Sequence, residues 1–145
     1  MATIANDLME EVVDRLRAYS SPAIVDDTAR IRRDHRTVVP RDDCPRIHVI
    51  DGDELPDKAA KSCYVPVEFP FVVAIFVRDD AGYAAADPLK IAIMAALDPA
   101  TAYPHSARLK RGRIVSNQEI ADADSLRVDM EFTFTYQTLE WALDG

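Results

Sequence analysis

The sequence predicts a single α+β domain: one mainly antiparallel sheet of four to five strands, with two helices packed on one face. Three observations predict it. From Leu126 to Thr138, Leu126, Val128, Met130, Phe132, Phe134 and Tyr136 alternate without a break with Arg127, Asp129, Glu131, Thr133, Thr135 and Gln137. Period two over so many positions means a strand with one face in a core and one outside it. At ~3.4 Å per residue it would run about 40 Å, far beyond the usual five or six residues. Second, Tyr64 to Val77 is another long strand, with Val65, Val67, Phe69, Phe71, Val73, Ile75 and Val77 on one apolar face. Third, helical spacing occurs in two places, residues 4–19 and 87–97, with no linker rich enough to divide the chain.

Taken in order, the chain opens on Ile4, Leu8, Val12, Leu16 and Tyr19 at helical spacing. Thr3 is the expected N-cap, and Ser20-Ser21-Pro22 the expected stop. Residues 28–37 hold four arginines among few apolar residues and read as a polar edge strand or arm. Pro40 to Pro45 forms a turn, Arg46 to Ile50 a short half-buried strand, and Asp51 to Lys61 an acidic loop. In the long strand that follows, Pro66, Glu68 and Pro70 occupy the second face, which turns apolar at Val72, Ala74 and Phe76. Proline donates nothing to a ladder, so the first half is expected at an edge or projecting beyond the sheet, and the second half covered on both faces. Arg78 to Gly82 is a turn. Asp87-Pro88 predicts an N-cap and first helical residue, with Leu89, Ile93, Ala96 and Leu97 on the buried face. Arg108 to Asn117 is a kinked strand in which Gly112 suits a bulge. The acidic link Gln118 to Asp124 then turns back into the last strand.

Composition limits the function classes. The chain of 145 residues can bury roughly 70% of its unfolded surface in one core. A formal net charge of −8 argues against the whole surface binding nucleic acid, while leaving room for local basic patches. Met1 to Asn6 lacks a basic n-region, and the longest apolar run, Phe69 to Val77, is a strand and not a membrane span. Cys44 and Cys63 form no CxxC pair, so a reduced, cytosolic compartment is expected.

Chemistry is not visible in the motifs. Asp51, Asp53, Glu54 and Asp57 crowd one loop without EF-hand spacing, and His35, His48 and His105 are scattered, so no metal is expected. Neither cysteine lies in a nucleophile signature, and GxSxG, GxGxxG and Walker loops are missing, so neither catalytic residues nor a cofactor are expected. Two basic clusters remain, Arg30, Arg32, Arg33 and Arg36, and then Arg108, Lys110, Arg111 and Arg113. The second has no interleaved aromatics for base stacking, and pairing with acidic loops is the better reading.

In this order of elements the chain resembles the tail terminator or tail-completion proteins of tailed bacteriophages. The resemblance lies in the segments IANDLMEEVVDRLRAY, VEFPFVVAIFV, DPLKIAIMAAL and VDMEFTFTYQT. It implies a virion protein of the neck region, assembled in the host cytoplasm, without membrane association. It also implies a hexameric ring that caps the tail tube, stops its polymerisation and docks the neck, while DNA passes through the lumen without specific binding. On that reading Arg108, Lys110, Arg111 and Arg113 of one subunit would meet Asp51, Asp53 and Glu54 of the next. Tyr64, Pro66, Glu68 and Pro70 would meet the tail tube protein or the neck (head-completion) protein. Arg127, Asp129 and Glu131 would line a lumen or an interface, with an acidic lumen repelling DNA. The rival expectations are another connector ring of the head–tail junction, a cytosolic module binding proteins through an exposed strand edge, and a small hydrolase or nuclease using the acidic loop.

Overall fold

The computed structural model describes residues 3–20, 24–25, 28–33, 39–57, 64–116 and 125–139. Helix α1 spans Ile4–Ala18, and Thr3 caps it by accepting from the Asn6 amide at 3.1 Å. Strands follow at Ile31–Arg33 (β1), Arg46–Asp51 (β2), Leu55–Pro56 (β3) and Tyr64–Arg78 (β4). Helix α2 is Asp87–Ala96, and strands Arg108–Ser116 (β5) and Ser125–Leu139 (β6) complete the order. The sheet runs β1-β2-β4-β6-β5, with β3 added to β4 beside β2. Among the described strands only the β1–β2 pair is parallel. The α+β class therefore holds, with a two-residue sixth strand inside the acidic loop.

β4 and β6 form the centre. They pair antiparallel along fifteen residues each, from Tyr64↔Leu139 to Arg78↔Ser125. Matching parity puts Val67, Phe69, Phe71, Val73 and Ile75 beside Tyr136, Phe134, Phe132, Met130 and Val128 on one face. Ile4, Leu8, Val12 and Leu16 of α1 and Ile93 of α2 close over that face, all at most 1% exposed. Phe71 stacks between Phe132 and Phe134, with ring centroids 5.4 and 5.2 Å away. Burying such a ring contributes several kcal/mol, so Phe71→Ala is expected to cost about 3–5 kcal/mol.

The other sheet face stays open except at one end. There Val39 and Cys44 pack on Ala74 and Phe76, so the second half of β4 is covered on both sides, as its apolar character requires. The first half of β4 is not an edge: it lies between β3 and β6. The Pro66 and Pro70 carbonyls accept from the Asp57 and Gly52 amides, so the backbone of both prolines is turned away from β6. Their missing N–H groups thus cost the central ladder nothing.

Two local expectations change. The edge strand expected over 28–37 is a 3-10 turn, Thr28–Arg30, and then β1, with 34–37 outside the described residues. Asp87 is not an N-cap. A 3-10 turn at Tyr83–Ala86 runs directly into α2, Asp87 is already helical (φ −59°, ψ −46°), and its carboxylate takes the Lys90 ammonium at 2.9 Å. The bulge in β5 does fall at Gly112, between Arg111 and Ile114. A Cβ there would stand 3.0 Å from the Glu131 backbone oxygen. The link 118–124 lies outside the described residues.

Candidate functional site

The expected basic and acidic partners lie at opposite edges of the sheet. β5 is one outer edge; the acidic turn between β2 and β3 lies beyond β4 on the other side. Strand register divides the basic row. Arg108 pairs with Thr135 and Lys110 with Thr133, which puts both on the open face. Arg113 is on that face too, donating to Glu131 at 2.9 and 3.2 Å. Arg111 points the other way, and its Nη2 donates to the Met94 carbonyl near the end of α2 at 3.2 Å. Arg108 and Lys110 are exposed and make no ion pair among the described residues.

The acidic residues are engaged unequally. Asp51 takes the Arg33 guanidinium, Nε to Oδ1 at 3.3 Å and Nη2 to Oδ2. Glu54 accepts from the Tyr136 hydroxyl on the helix side of the sheet. Burial, and then this hydrogen bond, raises the Tyr136 phenol above its ordinary range. Asp53 is exposed and has no ion pair among the described residues. No group of three or more metal-ligating side chains occurs among the described residues, the acidic turn included.

On the open face, Arg127 bridges Asp129 at 2.6 Å and lies 5.8 Å from the Phe76 ring, while Glu131 holds Arg113. Both acids are therefore matched in place. With Arg108 and Lys110 added on β5, the β5–β6 half of this face is not acidic, which departs from the expected acidic lumen. Deeper on the face, His48 is 0% exposed. The Arg46 Nε donates to its Nε2 at 2.9 Å, and the Phe76 ring is 4.8 Å away. A guanidinium only donates, so Nε2 is the acceptor in this contact. Sequence reasoning missed this pair. The alternation of Arg46 and His48 with Ile47 and Val49 marked them as outward; in the structure Val39 and Cys44 pack on Ala74 and Phe76, the β4 residues paired with His48 and Arg46.

Tyr64, Pro66, Glu68 and Pro70 share the open face at its far end, where Tyr64 is 53% exposed and Leu55, opposite Glu68, is 54% exposed. The turn into β5 passes beside them. It carries two consecutive left-handed residues, His105 (φ 58°) and Ser106 (φ 55°). His105 Nε2 is 2.7 Å from the Asp7 carboxylate, which fixes the turn to α1.

No protein family and no curated protein matches the chain. Among solved structures, it is similar to a chain of the virion of a native gene transfer agent particle. The TM-score is 0.68, and the similarity covers 95% of this chain and 100% of that one at 22% identity. At that identity the likeness is one of fold.

Proposed function

We propose that the chain is a structural virion protein acting by assembly and not by catalysis, and that it is a tail terminator forming a ring of six subunits. The observation that carries this reading is the fold shared along nearly its whole length with a chain of a virion particle. The placement of charge supports it. A closed ring needs a heterologous contact, with different surfaces meeting head to tail. Arg108 and Lys110 at one sheet edge and Asp53 at the other meet that requirement without meeting each other inside the subunit. Arg111, Arg113, Asp51 and Glu54 flank the same contact while holding internal partners.

The mechanism is steric. The ring fits the end of the tail tube, covers its exposed subunit edges and offers the next tube subunit no equivalent surface. Tyr64, Pro66, Glu68 and Pro70 form the contact with the tube or neck protein. Arg127, Asp129 and Glu131 face the lumen or a neighbouring subunit, and DNA passes without specific binding. The protein resides in the virion neck, after assembly in the host cytoplasm, and needs no cofactor or metal. A second reading, another connector ring of the head–tail junction, draws on the same shared fold. Capping of purified tail tubes distinguishes it, since a connector would bind heads instead.

The test is mass by light scattering over a wide concentration range, with imaging of large species. A six-subunit ring is expected. A monomer at every concentration overturns a ring that forms unaided. Arg108→Glu with Lys110→Glu is expected to leave circular dichroism unchanged and to abolish the ring. This pair isolates the contact better than Arg111 and Arg113, whose reversal would also break internal bonds.

A further inference from the structure

Strand register measures both margins of the sheet on one scale. On the β5 margin, Lys110 pairs with Thr133 and so stands level with Pro70 of β4. Past the bulge, Ile114, Val115 and Ser116 pair with Met130, Asp129 and Val128, level with Val73, Ala74 and Ile75. On the opposite margin the Gly52 amide donates to the Pro70 carbonyl, so the acidic turn is also level with Pro70. Arg33, Arg32 and Ile31 of β1 stand, through Val49, His48 and Ile47, level with Val73, Ala74 and Ile75. A second copy set alongside with no shift along the strands therefore satisfies both levels at once. Sides and directions agree too. Ile114 and Arg33 share the helix side, Val115 and Arg32 the open face, and β5 runs opposite to β1. Ile114 is 42% exposed. A hollow of about 430 Å³ opens between α1 and the β1 edge, lined by Val13, Arg17 and Arg33 among others. Both guanidiniums are engaged, Arg17 on the Ile31 carbonyl at 2.9 and 2.6 Å and Arg33 on Asp51, which leaves their aliphatic stems to line it.

We propose that β5 of one copy docks on the α1–β1 edge of the next, with Ile114 filling the hollow and Val115 beside Arg32. The sheet then continues from subunit to subunit. β1 lies one strand outside β2, so Lys110 stands two strand spacings, ~10 Å, from the acidic turn, which the Lys110 and Asp53 side chains span together. Docking β5 against β5 would instead set Arg108, Lys110, Arg111 and Arg113 against their own copies, and like charges face to face repel. That the partner is a second copy rests on the ring reading above, which named a charged contact at these margins. The apolar contact and the relative placement of the subunits are added to it.

The test is disulfide trapping in a Cys63→Ser background, Cys44 being buried. Arg32→Cys and Val115→Cys are made as separate proteins, mixed under mild oxidation and read on a non-reducing gel. Facing residues of antiparallel strands hold their Cβ atoms ~4.5–5.5 Å apart, close to disulfide range. The mixture is expected to give a linked dimer, and each protein alone none. Linkage of Val115→Cys alone means that β5 meets β5 and overturns the proposal, as does an unlinked mixture. Ile114→Ser, at an exposed position, is expected to leave circular dichroism unchanged and to weaken assembly at least about tenfold by light scattering. Unchanged assembly of that variant also overturns the proposal. A ring by light scattering whose mixture stays unlinked removes this contact and leaves the ring reading standing; linkage into open chains, without a closed ring, does the reverse.

Discussion

Tyr136 shows how one side chain can be buried and polar at once. Its ring lies in the core while its hydroxyl donates to Glu54 from across the sheet. Tyr136→Phe keeps the ring and leaves the half-buried Glu54 carboxylate without its donor. The expected loss is about 1–2 kcal/mol in urea unfolding, with the fold unchanged. Burial first, then Asp43, pushes the Cys44 thiol up to about 11 from an ordinary 9.0. Both groups are thus held neutral by folding. A raised acidic pKa means stability that is complete below the unfolded-state value and lost as pH climbs towards the folded one. Urea midpoints are therefore expected to hold steady from pH 7 to pH 9 and to fall between pH 9 and pH 11. In a Cys63→Ser background, a thiol reagent at pH 8 should label Cys44 only at the rate of unfolding, since the thiolate is the reactive form.

At the scale of elements, what was legible was what repeats. The alternation of β6, the apolar face of β4 and the stripe of α1 each spread one signal over many residues, so no local accident could hide it. Gly112 was legible because the parity of Leu109 and Ile114 conflicts across it. β3 was not: two residues, one of them Pro56, give no period, and the strand exists because β4 passes beside it. The Asp87 start signal misled because a 3-10 turn can enter a helix without the extended residue that a cap needs. Gly52 was also silent in sequence. A Cβ there would lie 2.3 Å from the Pro70 carbonyl oxygen, which accepts the Gly52 amide. Gly52→Ala is expected to cost about 2 kcal/mol or more and to free the β2–β3 turn, seen as faster amide exchange at Leu55 and Asp57.

For the whole molecule, the candidate site was legible as charge but not as partnership. Sequence showed a basic strand and an acidic loop. Only the sheet order shows that they occupy opposite edges, and only side-chain contacts show that Asp51, Glu54 and Arg113 are already engaged. Contacts carried by Arg108, Lys110 and Asp53 would be solvent-accessible until assembly and screened by salt. The ring is accordingly expected to form faster at low ionic strength, and light scattering against time at several salt concentrations reads this directly.

The central ladder also sets a schedule for the nascent chain. β4 and β6 share more contacts than any other pair of elements, yet their nearest partners, Arg78 and Ser125, are separated by α2 and β5. Pairings so distant in sequence close late and slowly. Until residues 125–139 have left the ribosome, the flank of β4 that pairs with β6 has no partner strand, and Phe71 lacks both rings that sandwich it. A translating copy is therefore expected to be at its stickiest just before β6 arrives, and slower synthesis over β5 and the following link is expected to raise the fraction of nascent chain recovered with chaperones.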